Sequence, residues 1–528
     1  PLTDAEAAPL AAFVAEALNG GSPAAERLPP RLRRGRATVL VTLRSNGRLL
    51  ESAWHEGAGG ADAIVGGLHV VREKLRKDER PDAVVLDLAR SFEVVELEGA
   101  REALRGRYRG VRGLELLAGG GTRRAAPTEM IAANVGFEEV LDGFLSQSGL
   151  RRDQLTGYGA IARVFEADQV LVRLTKPPGA VRMVRGNRLV EPDDVTQASV
   201  TALGKELLDW LVRDVDDDGR FSGGYRPTPA REIGARPARE WLATLALTRA
   251  ARASGDPAML DRSERAIRAN LWRSYREDED SGLIVSGEEV RLDAVALAAL
   301  TILEHPRRQS FARQESMLLR TVDRAWSADG SFRTFYRPSG RPDEPNAGSG
   351  EALFLWATLL VEKPDPELLR RFLESFRYYR AWHVAHQHPA FVPWHTLAFA
   401  RAWWAMKNAE LASFVFDMND WLAGMQQWDG AAFPELRGRF YDPKHPYLGP
   451  PSSATTAGGL QALLAAHRLA TAVGDSGRAG AYWSAVLRGF RSLLQVAFLD
   501  EVDVHYVRDR RRVQGGLRRT VYDNVIRT

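Results

Sequence analysis

The sequence predicts a multidomain chain, an N-terminal α+β domain followed by an all-α (α/α)6-type toroid, and three observations carry that prediction. Strand-like alternation dominates residues 37–174, Ala/Leu/Trp-rich helical spacing dominates everything after Asp193, and one ten-residue phrase occurs twice in the helical part. The phrase is DGRFSGGYRP from Asp218 to Pro227 and DGSFRTFYRP from Asp329 to Pro338, both of the form D-G-x-F-x-x-x-Y-R-P. A third echo, WDGAAFPELRGRFYDP from Trp428 to Pro443, keeps an Asp-Gly pair, an aromatic after it, and a later Arg and Tyr. Asp-Gly favours a tight turn, and the aromatic and Tyr that follow can anchor a short β-ribbon. The same corner therefore recurs where helical hairpins of one architecture meet. A purely structural corner, with Phe and Tyr buried and Arg paired to a carboxylate, is the equal alternative to a substrate-binding one.

Taken in order, residues 1–34 give an amphipathic helix (Thr3 to Leu18) and a Pro/Arg linker, RLPPRLRRGR, whose basic run reads as solvated. Residues 35–190 form the α+β domain. Ala37 to Trp54 reads as a β-hairpin around Asn46-Gly47, followed by a helix from Ala61 to Lys77 and strands near Asp82–Leu88 and Phe92–Glu98. Gly110 to Leu150 gives a strand, a Gly-rich loop and a helix, and Ile161 to Leu174 is extended. Residues 191–528 form the toroid, with helices expected at 195–213, 236–254, 257–272, 290–304, 309–325, 348–361, 366–382, 394–407, 410–426, 453–473 and 477–497. Eleven helices with short loops fit about six hairpins in a ring.

V-T-L-x-x-N-G-x-L at Val41 to Leu49, the Gly110–Leu150 passage and the strand after it resemble the AMMECR-like domain family over residues 35–175. Where that family has L-R-G-C-I-G, this chain has LLESAW from Leu49 to Trp54, so the resemblance implies the fold and not the family's activity. The helical part resembles α/α-barrel proteins acting on uronic acids and other sugars, of the glucuronyl C5-epimerase and unsaturated glucuronyl hydrolase type. The likeness lies in the D-G-x-F…Y-R-P corners, NAGSGEALFLWATLL (Asn346–Leu360), FDMNDWLAGMQQ (Phe416–Gln427), SSATTAGGLQALLAAHRLA (Ser452–Ala470) and GGLRRTVYDNVIR (Gly515–Arg527). It implies lyase, hydrolase or epimerase chemistry on an acidic glycan. A noncatalytic binding scaffold and a terpene-cyclase-like toroid are the alternatives, because architecture alone does not select a substrate.

Composition narrows the partners. A mean hydropathy of −0.28 and the lack of any run of about 20 apolar residues argue against a membrane span. The 72 basic and 68 acidic residues nearly balance, which gives nucleic-acid binding little support. The absence of cysteine removes thiol catalysis and thiolate metal sites. The chain opens at Pro1 without Met and closes mid-phrase at Thr528, so a trimmed start codon or a processed leader, and a few further residues at the end, are expected, with cytoplasm and periplasm both open. Oligomeric state is not legible.

Toroid enzymes on sugars present carboxylates and tyrosines at one mouth, with aromatics as sugar platforms. Glu351 follows Gly348-Ser349-Gly350 at a helix start, where a carboxyl can act as acid or base or merely favour the helix N-terminus. Asp417 and Asp420 share a helical face beside Trp421, as a catalytic pair or as partners of Arg. His395 beside Trp394 is a proton-transfer candidate, within a histidine cluster that also holds His383, His386 and His388; a metal site is an equal alternative, and a structural cluster at a loop stands ahead of both. Tyr441 completes the catalytic candidates. Tyr225, Arg226, Tyr336, Arg337, Trp394, Glu435 and Arg437 are the substrate-binding candidates, the arginines because a guanidinium fork matches a carboxylate. Asp214, Asp216 and Asp218 before Gly219 match the opening of a Ca2+ loop, although Tyr225 stands where its last acidic ligand belongs. The same stretch spells the D-x-D-D of toroidal cyclases, and a solvated turn is favoured over both readings. No P-loop and no G-x-S-x-G occurs, so phosphoryl transfer and serine hydrolysis lack support.

Overall fold

The computed structural model describes residues 2–441 and 451–527, so Asp442 and Pro443, the end of the third echo, lie outside the described residues. Residues 37–188 build one antiparallel sheet from β1 (Ala37–Ser45), β2 (Arg48–Gly57), β3 (Ala83–Val95), β4 (Arg112–Ala118), β5 (Gly121–Ala125), β6 (Ile161–Arg173), β7 (Gly179–Val184) and β8 (Asn187–Arg188). Their order is β2-β1-β3-β6-β4-β5, and β7 takes over from β4 along the second half of β6. Asn46 and Gly47 both have positive φ, the geometry a two-residue hairpin needs. The strands expected at 82–88 and 92–98 are one strand: Ser91 (φ 54°) sits in a register shift that bends β3 without ending it. Helices α1 (Leu10–Leu18) and α2 (Gly60–Lys74) pack Phe13, Ile64 and Leu68 on Val39, Val41 and Leu86. Helices α3 (Pro127–Ala133) and α4 (Phe137–Ser148) pack Met130, Val140 and Phe144 near β4.

Eleven long helices follow, within two or three residues of nearly every expected boundary: α5 (Gln197–Asp214), α6 (Pro237–Ser254), α7 (Pro257–Ser274), α8 (Leu292–Glu304), α9 (Ala312–Ala325), α10 (Ser349–Glu362), α11 (Pro366–Ala385), α12 (Val392–Met406), α13 (Ala409–Gly424), α14 (Ser453–Val473) and α15 (Ser476–Val496). The even-numbered helices contact one another in sequence, α6 to α8 to α10 to α12 to α14, and form the inner layer; the odd ones lie outside. Composition explains the division. Helix α8 is apolar all round and buried from Ala294 to Leu303, whereas α9 is strongly amphipathic and buries one face. Inner-to-outer connections are as short as Gly255-Asp256 and Lys407-Asn408, while most outer-to-inner connections are long and gather at the inner helices' N-termini. That face is the mouth. Among the described residues no inner helix lies between α14 and α6.

The repeated phrase is the outer-to-inner corner. Val215 bridges Phe221 after α5, and Trp326 bridges Phe332 after α9. Each corner is closed by the same two backbone bonds, Gly219 N–H to Asp216 O with Asp216 N–H to Arg220 O, and Gly330 N–H to Ser327 O with Ser327 N–H to Ser331 O, all 2.9–3.0 Å. The third copy corrects the sequence alignment. Its bridge is Gln426–Phe440 and its turn glycine is Gly438, whose N–H reaches Gln427 O at 2.7 Å. Arg437-Gly438-Arg439-Phe440 is therefore the equivalent of Asp218-Gly219-Arg220-Phe221, and Asp429-Gly430 belongs to an insertion inside the turn. A corner missed in the sequence follows α15: Ala497 bridges Leu517 and Gly515 N–H bonds to Phe498 O at 2.8 Å. These glycines have φ of 84–91°, and each rests on the backbone of the next outer helix: Gly219 on α7, Gly330 on α11, Gly438 on α15 and Gly515 on α5. The last contact joins the final outer helix to the first and closes the outer ring.

Sheet and ring share packing. Ala83, Val85, Leu171 and Met183 cluster with Val502, and Gln495 binds the Arg188 carbonyl and the Val190 N–H. Among the described residues no helix is long and apolar enough to cross a membrane.

Candidate functional site

The inner helices begin side by side because small residues let them. A Cβ on Gly348 would fall 2.9 Å from the Asp293 nitrogen, and one on Gly350 would fall 2.6 Å from Trp394 Cβ. The starts of α8, α10 and α12 are thereby drawn together, with Asp293 in the first turn of α8, Glu351 in the first turn of α10 and Trp394 in the first turn of α12. The Asp293 carboxylate accepts the Ala294 N–H at 2.8 Å and faces the Arg291 guanidinium at 3.4 Å. Glu351 keeps partial solvent access but is surrounded by protein. Desolvation and the negative charge of Asp293 push its carboxyl up to about 8, against the pull of Arg291 and of the Glu351 and Gly348 backbone. At neutral pH Glu351 is thus a protonated acid beside a second carboxyl group.

Asp293 and Arg291 also line a 570 Å³ pocket at the mouth, together with Arg236, Ser286, Glu289, Arg341 and Glu344. Phe335, from the second repeat phrase, organises it: the Arg291 and Arg341 guanidiniums lie 4.9 and 4.1 Å from its ring centroid. Arg341 pairs with Glu289, and Arg291 reaches Glu344 at 3.4 Å. The pocket thus sets three guanidiniums among three carboxylates, with Arg291 and Arg341 ion-paired and Arg236 beside them. Sequence reasoning found Glu351 and missed Asp293, Arg236, Arg291 and Arg341. The signal available for Asp293 was its place in the first turn of a helix one hairpin before Glu351, in VRLDAVAL.

The other expected residues fall elsewhere. Asp417 and Asp420 share a face, as their spacing requires, but that face belongs to outer helix α13: Asp420 accepts from Tyr482 Oη at 2.6 Å and from Arg478 at 3.0 Å. The structure thus removes this pair from the mouth. His395 is 1% exposed, stacked 3.6 Å from Phe391, with Nδ1 at 2.8 Å from the Phe391 carbonyl; burial pulls it down to about 3, so it is a neutral packing residue at physiological pH. His383 is buried beside Phe391 and held down to about 4 in the same way. Trp394 does stand at the mouth, half-buried, 5.8 Å from the ring of Phe354.

Tyr225 is buried in the strand Gly224–Arg226, which pairs with Ile526–Arg527, and Arg226 lies in the same strand. Tyr336 Oη meets Ser281 Oγ at 3.3 Å, and Arg337 is paired with Asp278 at the exposed edge. Glu435 is a staple between ring and sheet: it meets Arg185 at 2.6 Å, both side chains 1% exposed. Removing one partner of a buried pair strands a charge, so Glu435→Gln is expected to destabilise the protein by about 3 kcal/mol, measured by urea denaturation. Arg437 gives its carbonyl to Arg491, and the Tyr441 ring lies 5.3 Å from the Arg439 guanidinium.

The expected Ca2+ loop is a capped turn. Asp216 accepts the Arg220 N–H at 2.8 Å, Asp214 binds Ser222 Oγ, and Asp218 is exposed. Among the described residues no group of three acidic, His or Cys side chains could hold a metal ion. The same turn, at the end of an outer helix, lines a strongly charged pocket with Arg213, Arg511 and Arg512 instead of a deep apolar one, which removes the cyclase reading.

No family model and no curated protein matches the chain. Among solved structures it is similar to an α-1,6-mannanase of Salegentibacter in complex with α-1,6-mannotriose (9% identity, 62% of this chain and 94% of that one, TM-score 0.45). It is also similar to a D-mannose isomerase (9%, 58% and 86%, TM-score 0.44) and a sugar epimerase from a ruminal bacterium (10%, 54% and 86%, TM-score 0.41).

Proposed function

We propose that the protein is a carbohydrate-active enzyme in which Glu351 delivers a proton and the Asp293 carboxylate receives one, acting on a glycan that contains uronic acid. The observation that carries this reading is the Glu351–Asp293 pair at adjoining helix starts, with Glu351 pushed up to about 8 and Asp293 on the wall of an arginine-lined pocket. A carboxyl raised toward neutrality is suited to protonate a leaving oxygen or a sugar carbon, and its ionised neighbour to take a proton or orient water. Lyase, hydrolase and epimerase reactions all use that division. Arg236, Arg291 and Arg341 supply the carboxylate recognition expected of the repeat arginines, and Trp394 the sugar platform. The resemblance of the helical part to uronic-acid-acting proteins supports the substrate class.

The test is incubation with oligouronates and with neutral manno-oligosaccharides, products being read by NMR. Conversion of the acidic series alone is the expected result. Conversion of the neutral series alone overturns the uronic-acid assignment, and thermal stabilisation by oligouronates without any product moves the protein to a noncatalytic binding scaffold. Within the acidic series, Arg341→Gln is expected to raise KM about tenfold with little change in kcat, because it removes binding made equally in ground and transition states.

We also infer that residues 35–190 form an AMMECR-like module and 191–528 the ring. Support comes from the two largest core clusters: the one around Val41 and Leu86 draws only on residues before 190, and the one around Val295 and Leu355 takes only Val190 from that side of the boundary. Limited proteolysis giving fragments divided near residue 190 is the expected result; cuts elsewhere at comparable rate would contradict the boundary.

A further inference from the structure

The inner helices line a second bowl, of 470 Å³, which runs from Phe354 and Leu397 in the second turns of α10 and α12 to the last turns of α6. It is lined by Arg249, Arg252, Glu304, Phe354, Arg401 and Gln461. Three guanidiniums here face one carboxylate, and that carboxylate is already committed. Arg249 holds Glu304 through two bonds of 2.7 and 2.8 Å, and Arg252 adds a contact at 3.5 Å.

Arg401 is the residue left over. No carboxylate lies within 4 Å of it among the described residues, and its Nε is buried without a hydrogen-bond partner. Its place is nonetheless fixed. The Arg401 and Arg249 guanidiniums lie 5.7 and 5.6 Å from the Phe354 ring centroid, so an aromatic face holds two like charges about one ring. Helix C-termini favour cations, and Arg252 uses that route by donating to the Glu304 carbonyl at 3.3 Å. Arg401 stands more than a turn before the end of α12 and makes no such bond. A rigid fork, stacked and unpaired, in a bowl with excess positive charge is built for an oxyanion, whose two oxygens can accept from it side by side.

We propose that this bowl is a binding site for a small oxyanion, a carboxylate or a phosphate, held by Arg401 with Arg249 and Arg252 and floored by Phe354, sharing no lining residue with the pocket that Asp293 lines. The site is independent of the sugar chemistry proposed for Glu351 and stands whether or not that reading survives.

The test is calorimetric titration of the whole protein with inorganic phosphate and, separately, with acetate, the two arms distinguishing phosphate from carboxylate. Binding of at least one at millimolar Kd is expected, weakened about tenfold or more in Arg401→Gln. Gln461→Glu, at an exposed position, places a carboxylate on the rim and is expected to abolish binding without disturbing the fold, which keeps the test decisive if Arg401→Gln does not fold. Absence of heat from both anions at about 10 mM overturns the proposal, as does binding that survives both substitutions.

Discussion

Glu351→Gln is expected to lower turnover of an acidic oligosaccharide by about a thousandfold while leaving the fold and substrate binding in place. Gln keeps the shape of the protonated acid and cannot give up the proton. In the wild type, the rate falls on the alkaline side as Glu351 ionises, with a limb near its value of about 8. Removing the charge of Asp293, in Asp293→Asn, takes away one of the two causes that raise Glu351, so the limb moves to lower pH; a steady-state pH–rate profile of both proteins checks this. Stability follows the same linkage. A carboxyl raised in the folded state binds its proton more tightly there than in the unfolded chain, so stability is lost as pH rises from about 4.5 through about 8. Glu351→Gln escapes that loss and is expected to be more stable than wild type at pH 9 by on the order of 2 kcal/mol, below the full linkage value because the carboxyl keeps some solvent access.

Gly438→Ala is expected to destabilise the protein by about 3 kcal/mol, whereas Gly430→Ala, eight residues earlier, stays within about 0.5 kcal/mol. At Gly438 the backbone has φ 91° and a Cβ would sit 1.9 Å from the Arg488 carbonyl oxygen, so the substitution meets strain and backbone collision together. At Gly430 nothing lies within 4 Å of the added atom. Urea denaturation of the two variants tests the corrected register of the third corner; equal midpoints would restore the Asp429-Gly430 alignment.

That register shows where the sequence was and was not legible. The Asp218-Gly219 and Asp329-Gly330 corners were readable because dipeptide, aromatic and spacing all survive. In the third copy an insertion separates Gln427 from Gly438, and a chance Asp-Gly inside it gives the stronger turn signal. The corner at Gly515 was invisible as a repeat because Gly515-Gly516-Leu517 keeps the glycine and the apolar plug but neither Asp nor Phe. Helices were legible from their 3.6-residue period, since burial of one face is what fixes them. The layer each occupies was harder to read: Asp417 and Asp420 share a face, yet only the packing of α13 outside α12 and α14 shows that the face points away from the mouth. Histidine type likewise promised chemistry at His395, where an aromatic shell in fact excludes the charge. Asp293 lacked any motif, and its meaning comes from Gly348, which lets two helix starts approach.

The most direct measurement is an NMR titration of protein labelled at the glutamate side-chain carboxyl carbons, the Glu351 signal being assigned by its loss in Glu351→Gln. A midpoint near 8 that drops in Asp293→Asn is expected. A midpoint near the ordinary glutamate value of about 4.5, indifferent to Asp293, would contradict it and leave the mouth as a binding groove without a poised acid.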